Sequence, residues 1–358
     1  MLTNITLRQQ RLQNLQITTR TFQKPGELVK WMGAVQAQDY PASLWALGLR
    51  MNGVTEKDME QAISGKQIVR TWPMRGTLHF VAQEDVRWML KLLTPRVIAR
   101  SASLYRNAGL DEKVFAKSRR LISKALEGGK QLTRPQIYEI LEKAKISTAS
   151  HRGLHILCYM AQDGLICLAS RKGKQHTFTL LDEWVPPGRM LTGDEALREL
   201  AIRYFTSHGP ATVQDFAWWS GLTLTEAKNS LEMIKSSLQQ QKKDDQVYWS
   251  FPDATFSNND IERVHLLPNF DEYAVGYTDR RVLAETAHEN KFSNSFSFLK
   301  ASIIADGKIA GFWKRSLIKN EMVIETKPFS PLNKTTNSSL EKAVMRYSNF
   351  AGVPVKPK

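Results

Sequence analysis

The chain has 358 residues, 42% of them hydrophobic, with two cysteines and 50 Lys and Arg against 35 Asp and Glu, a net charge of +15. That size and apolar content exclude a disordered chain and allow two or three domains with real cores. No stretch approaches eighteen consecutive apolar residues, which excludes a membrane-spanning helix.

The opening segment, "MLTNITLRQQRLQNLQ", lacks the apolar core of a secretory signal. Cys158 and Cys167 have no second pair beside them and fit no metal motif, so reduced, buried cysteines in a cytoplasm are expected. The charge is uneven. Residues 1–120 carry 19 Lys and Arg against 9 Asp and Glu, 121–240 carry 14 against 12, and the remainder 17 against 14. A basic first third suits an anionic partner, nucleic acid first among them. The alternative is a surplus kept for solubility. The strongly basic amphipathic helix that would suit an anionic membrane surface is not evident.

In chain order, the first stretch reads as short helices followed by two strands. "GELVKWMGAVQ" puts Leu28, Trp31, Met32 and Val35 on one helical stripe. "TEKDMEQAI" opens with Thr55 as a cap, and Asp58 three residues later completes a variant capping box. "QIVRTWPMRGTLHFV" reads as two strands around Met74, Arg75 and Gly76.

The second stretch repeats the plan. "FAKSRRLISKALEGG" is a helix ended by Gly128 and Gly129, and "TRPQIYEILEKA" a second, with Thr133 as cap and Pro135 in the first turn. "HRGLHILCYMAQDG" is a third, with Leu154, Leu157, Cys158 and Ala161 on one face. "LICLASRKGKQHTFTLL" is then a hairpin with a basic tip of Arg171, Lys172 and Lys174. Helices followed by a two-stranded wing describe a winged-helix domain.

The third stretch holds three helices. The first ends near His208, Gly209 and Pro210; "TVQDFAWWSG" is closed by Gly221; "TLTEAKNSLEMI" follows. Helix, glycine, helix is a helix-turn-helix pattern that ordinary bundles also use. "QQQKKDD" reads as a loop. Strands then dominate, "QVYWSF", "VHLLPNFDEYAVGY", "SIIADGKIAGFWKR" and "EMVIETKPF", with Asp306 and Gly307 as a hairpin turn. The expected fold is therefore mainly α with small β elements, an α+β chain. Its modules are 5–112, 113–190, 191–245 and a β-rich unit at 246–358.

Five segments, "AVQAQDYPASLWALGLR", "RTWPMRGTLHFV", "HGPATVQDFAWWSGL", "LLPNFDEYAVGY" and "GKIAGFWKR", together resemble the AlkZ-like DNA glycosylases, in that order and over residues 8–315. The resemblance implies tandem winged-helix modules around a DNA channel and a C-terminal antiparallel β-barrel-like unit. It implies a monofunctional glycosylase that removes N7-alkylated purines, interstrand crosslinks included, with no cofactor and no metal. The family's catalytic Gln-aliphatic-Gln motif falls on Gln36, Ala37 and Gln38. A sister branch has Asp at the last position, so Gln38 places this chain nearer the crosslink-repair branch. The partner expected is double-stranded DNA carrying alkylated purines, bound by a monomer in the cytoplasm, at the nucleoid, with no membrane partner. A non-catalytic winged-helix DNA-binding protein or transcriptional regulator is the alternative. Against it, "TLTEAKNSLEMI" carries Glu226 and Glu232, poor residues for a major groove.

Two neutral amides suit such chemistry. Alkylation at N7 makes the base cationic, so it departs neutral. What remains is an oxocarbenium-like sugar and an attacking water, which amides can face and hold. Glutamine cannot act as a general base at neutral pH. Residues two apart diverge on a helix but share a face in extended backbone. The helix before Gln36 should therefore end near Val35, with Pro41 keeping Tyr40 out of helical backbone. A polar helix terminus with solvated amides is the bland alternative. Asp39 reads as a loop or helix-end hydrogen-bonding group.

Arg75 and His79, at the first wing, are candidates for phosphate and backbone contact, or for an ion pair and an inward strand residue. Arg171, Lys172 and Lys174 are candidates for neutralising phosphates, or a charged turn. Phe216, Trp218 and Trp219 read as core, as does Trp45. Asp271 and Glu272 read as structural acids, pointing apart on a strand. A crosslinked base cannot swing into a tight pocket, so a shallow site that reads the duplex in place is expected over base extrusion.

Overall fold

Local signals set the helix boundaries. Thr55 N–H donates to Asp58 Oδ2 at 2.7 Å and Asp58 N–H returns to Thr55 Oγ1 at 3.3 Å, closing the capping box. The same reciprocal pairing joins Thr212 to Asp215 and Thr223 to Glu226. Each such cap stabilises its helix by about 1 kcal/mol. At the other end, Gly33 and Gly221 take positive φ (74° and 75°), stopping the helices Pro25–Met32 and Val213–Ser220.

The computed structural model describes residues 2–252, 262–284, 295–318 and 321–357, in which fifteen α-helices and thirteen strands occur. Helices cover more of the described residues than strands do and nearly all strand pairing is antiparallel, the mixed architecture expected. The chain forms two units, one of residues 1–59 with 198–358 and one of residues 60–197.

In the 60–197 unit, Ile68–Met74 and Thr77–Ala82 form a hairpin whose two turn residues, Arg75 and Gly76, have φ of 52° and 75°. Two successive positive φ values give the turn that matches strand twist. A second hairpin, Ile166–Lys172 with Gln175–Leu180, joins it antiparallel, with Arg70 opposite Leu168. The two hairpins thus share one sheet, and Leu132–Thr133 extends it on the far side. Helices Glu112–Leu126, Arg134–Lys143 and Arg152–Gln162 pack a core of Phe115, Ile122, Leu141, Ile156 and Met160 against Trp72 and Phe178. On Arg152–Gln162 the buried stripe is Ile156 and Met160 with Leu157 and Ala161; Leu154 and Cys158 are only half-buried, one step off the stripe expected. Burial raises the Cys158 thiol to about 12 and raises Cys167 as well, which favours the protonated thiol at both.

In the other unit, five strands lie in the order Val355–Pro357, Glu321–Pro328, Lys308–Ile318, Ser302–Ala305, Val264–Leu267. This is the form the expected barrel-like unit takes. Asp306 and Gly307, at φ 48° and 78°, turn its central hairpin as the sequence suggests. "QQQKKDD" is no loop: Gln239–Lys243 pairs with Gln246–Ser250 around Asp244 and Asp245, so "QVYWSF" belongs to this separate hairpin. The helix Lys334–Ala351 was not foreseen. It packs Tyr347 edge-on to Trp45 (5.0 Å, 88°), while Trp45 Nε1 donates to Leu266 O at 2.7 Å. Those contacts tie the helix Tyr40–Gly48 to the sheet.

Candidate active site and basic residues

The helix Pro25–Met32 ends early enough to free the motif. Val35–Gln36 is a short strand, and burial then alternates: Val35 and Ala37 are buried, Gln36 half-buried, Gln38 exposed. The backbone is thus extended at Gln36, and Gln38 follows in the bend that leads into the next helix. Pro41 acts differently from expectation. Tyr40 is the first residue of the helix Tyr40–Gly48 and Pro41 lies in its first turn, where no N–H partner is needed. Asp39 caps that helix, accepting from Ala42 N at 3.3 Å and from Asn269 Nδ2 at 2.9 Å. A hollow of about 250 Å³ beside it is lined by Asp39, Trp45, Asn269, Trp313, Arg315 and Tyr347, and by neither glutamine.

Behind the motif lies a carboxylate whose role sequence analysis missed. Glu272, fully buried, accepts from Gln36 N–H at 2.8 Å. Its other oxygen faces Trp219 Nε1 at 3.1 Å and His208 Nε2 at 3.4 Å. His208 Nδ1 lies 2.8 Å from Ser207 Oγ, and Tyr204 stacks on the imidazole (4.8 Å, 14°). Burial holds His208 below its usual pKa, with the Glu272 carboxylate opposing. Asp271 and Glu272 do point apart, but from a helix start rather than a strand. Asp271 caps the helix Glu272–Val275 and pairs with Arg50, both oxygens at 2.8 Å from its guanidinium. A one-sequence view offers no signal for a partner 236 positions away.

Trp219 and Phe216 are core, as expected, whereas Trp218 is 49% exposed. Its edge donates to Val275 O at 3.1 Å and Arg280 lies 5.5 Å over its ring. The i, i+3 spacing that buries Phe216 and Trp219 turns Trp218 outward.

The other five candidates lie in the 60–197 unit. Arg75 Nη2 reaches His79 Nε2 at 3.4 Å, and His79 Nδ1 lies 3.0 Å from Thr77 O. A carbonyl only accepts, so Nδ1 carries the proton and Nε2 receives from Arg75. His79 is fully buried, the inward strand residue of the two alternatives, and it orients Arg75. Arg171 pairs with Glu60, while Lys172 and Lys174 are exposed at the hairpin tip. Near them His176 contacts Arg70 Nη1 at 3.1 Å; burial and the charges of Arg70, Arg171 and Arg134 lower it to about 4. Among the described residues no group of three or more His, Cys, Asp or Glu is placed to hold a metal, and no helix is long and apolar enough to cross a membrane.

The family model for "DNA glycosylase AlkZ-like" matches residues 29–350. An interstrand DNA cross-link repair glycosylase of Streptomyces sahachiroi is 23% identical over 97% of this chain and 96% of its own length. The solved structure of the Streptomyces sahachiroi DNA glycosylase AlkZ superposes with a TM-score of 0.80 over the whole of both chains, at 20% identity, and so shares this fold. The class is thereby an enzyme that removes bases from DNA, not a regulator. Within that class, the chain belongs to the AlkZ-like DNA glycosylase family.

Proposed function

We propose that this enzyme is a monofunctional glycosylase that hydrolyses the N-glycosidic bond of cationic N7-alkylated purines, interstrand crosslinks included, on double-stranded DNA. Gln36 and Gln38 act together at the sugar: one amide carbonyl faces the oxocarbenium-like carbon and the other amide holds the water in line. The observation that carries this is the alternate burial from Val35 to Gln38, strand at Val35–Gln36 and then a bend, which buries Ala37 and leaves Gln36 half-buried and Gln38 exposed. The nearby acids support a reaction without a carboxylate base. Asp39 is occupied as a helix cap and Glu272 lies buried behind the backbone. The positive charge on the damaged base supplies the leaving group. Unmodified bases therefore survive.

In this reading the modules 5–112, 113–190 and 191–245 are winged helices that meet the duplex, and 246–358 is a β-rich unit. Each of the three has helices followed by a hairpin, which favours the assignment. Arg75, oriented by His79, and Lys172, Lys174 and Arg171 of the second hairpin meet phosphates. The enzyme works as a monomer in the cytoplasm, at the nucleoid, and reads the lesion in the duplex, since a crosslinked base cannot be extruded.

The test is release of 7-methylguanine from methylated duplex DNA under single-turnover conditions. Gln36→Ala and Gln38→Ala should each slow it about 100-fold, the scale for removing one preorganised polar group from a transition state. Undiminished release by both variants would refute the site.

A further inference from the structure

The turn after Asp271 is fixed from several sides. Gly276 N donates to Glu272 O at 3.0 Å, Tyr204 OH to Gly276 O at 2.8 Å, and Arg280 Nε to Ala274 O at 2.7 Å. Tyr277 OH donates to His208 O at 2.8 Å, so the histidine is held to the same turn. A Cβ on Gly276 would lie 2.7 Å from His208 Cδ2, so a glycine here lets the imidazole close on the acid. This apparatus has no opening to solvent: Glu272, His208, Trp219 and Tyr204 are all fully buried. It acts toward the surface through the 2.8 Å hydrogen bond to Gln36 N–H.

We infer that Glu272 is a positioning residue for base excision: it fixes the Gln36 backbone from behind, so that the amide is preorganised against the sugar. The inference rests on the proposed role of Gln36. A carboxylate suits the task because it offers acceptors on both oxygens and no donor. Gln36 N–H uses one oxygen; Trp219 Nε1–H and the His208 edge use the other. Ser207 Oγ donates to Arg203 O at 2.8 Å, which leaves His208 Nδ1 to donate to Ser207. His208 Nε2 is then the ring nitrogen that faces Glu272.

A glutamine at 272 has the same shape but only one acceptor. If its oxygen faces Gln36, its amide hydrogens meet the Trp219 N–H; if it turns over, they meet the Gln36 N–H. Removing the indole donor lifts the conflict. With Trp219→Phe, the introduced oxygen serves Gln36 and the introduced amide donates to His208 Nε2.

The experiment measures single-turnover 7-methylguanine release and duplex affinity for Glu272→Gln, Glu272→Asp, Trp219→Phe, Trp219→Phe/Glu272→Gln, and Glu272→Gln in a Gln36→Ala background, with thermal melts of each. Glu272→Gln should lower the rate by tenfold to about 100-fold, the cost of a displacement of about 1 Å, with duplex affinity unchanged. The Trp219→Phe partner should restore most of it. Adding Glu272→Gln to Gln36→Ala should slow the reaction no further, because the acid acts through that strand. Should Glu272→Gln fail to fold, Glu272→Asp, which keeps the charge but withdraws the acceptor, must show the rate loss, and the double variant must restore folding and activity together. Wild-type rates for Glu272→Gln or Glu272→Asp, a double variant as slow as the single, or additive losses with Gln36→Ala each overturn the inference. A wild-type rate for Gln36→Ala itself would instead sink the proposed role of Gln36.

Discussion

Asp271→Asn probes the ion pair immediately before Glu272. Arg50 and Asp271 have 0% and 1% of their side chains exposed and meet through two 2.8 Å hydrogen bonds. Asparagine has nearly the same shape and still caps the helix Glu272–Val275 through Tyr273 N, so the cap contribution of about 1 kcal/mol is kept. What disappears is the neutralising charge, leaving a buried guanidinium against an amide donor. Breaking such a pair from one side costs about 3–5 kcal/mol. With a urea slope of about 3 kcal/mol per molar, the midpoint should fall by about 1 M or more. Replacing both partners, Arg50→Met with Asp271→Leu, removes the charges together and should cost only about 1–2 kcal/mol, chiefly the missing cap. Urea unfolding followed by tryptophan fluorescence reports the unit of residues 1–59 and 198–358 through Trp45, Trp219 and Trp313. An unmoved midpoint for Asp271→Asn, or a double variant less stable than the single, would refute this account.

Lys172→Ala with Lys174→Ala should weaken binding to any duplex and reduce the slope of log affinity against log salt by about 0.9 for each phosphate left without its lysine; an unchanged slope removes the hairpin from the DNA interface. Burial and the Arg20 charge lower His265 to about 3, with Glu262 opposing and Arg346 assisting. The unfolded chain takes up that proton first, so stability should decline as pH falls from about 6.5 toward 3. His265→Leu should flatten that part of a stability-against-pH curve. A Cβ at Gly48 would lie 2.3 Å from the Phe350 ring, so Gly48→Ala should cost about 1–3 kcal/mol in urea melts, relieved when Phe350 is shortened to Leu.

What could be read from the sequence was local. The caps at Thr55 and Thr133, the Arg75–Gly76 turn and the Asp306–Gly307 hairpin depend on neighbours within a few residues, and they stand where expected. Burial periodicity was a weaker guide. The stripe on Arg152–Gln162 is offset by a position, and Trp218 faces outward although it sits beside two core aromatics. "QQQKKDD" defeated composition because a hairpin edge can be polar on both faces. Glu272 was legible as an acid but not as the support of Gln36, since only the folded chain brings the two together. The motif itself is visible through family resemblance, for Gln-x-Gln alone has no distinguishing pattern.

The arrangement of the chain has a consequence for its birth on the ribosome. The glutamines emerge early, yet the acid that grips their strand is made 236 positions later, after the whole of residues 60–197. At roughly 5–20 residues per second, that delay is about 12–47 s. Nascent or prematurely terminated chains thus carry the strand of Gln36 without the acceptor behind it until Glu272 has been made.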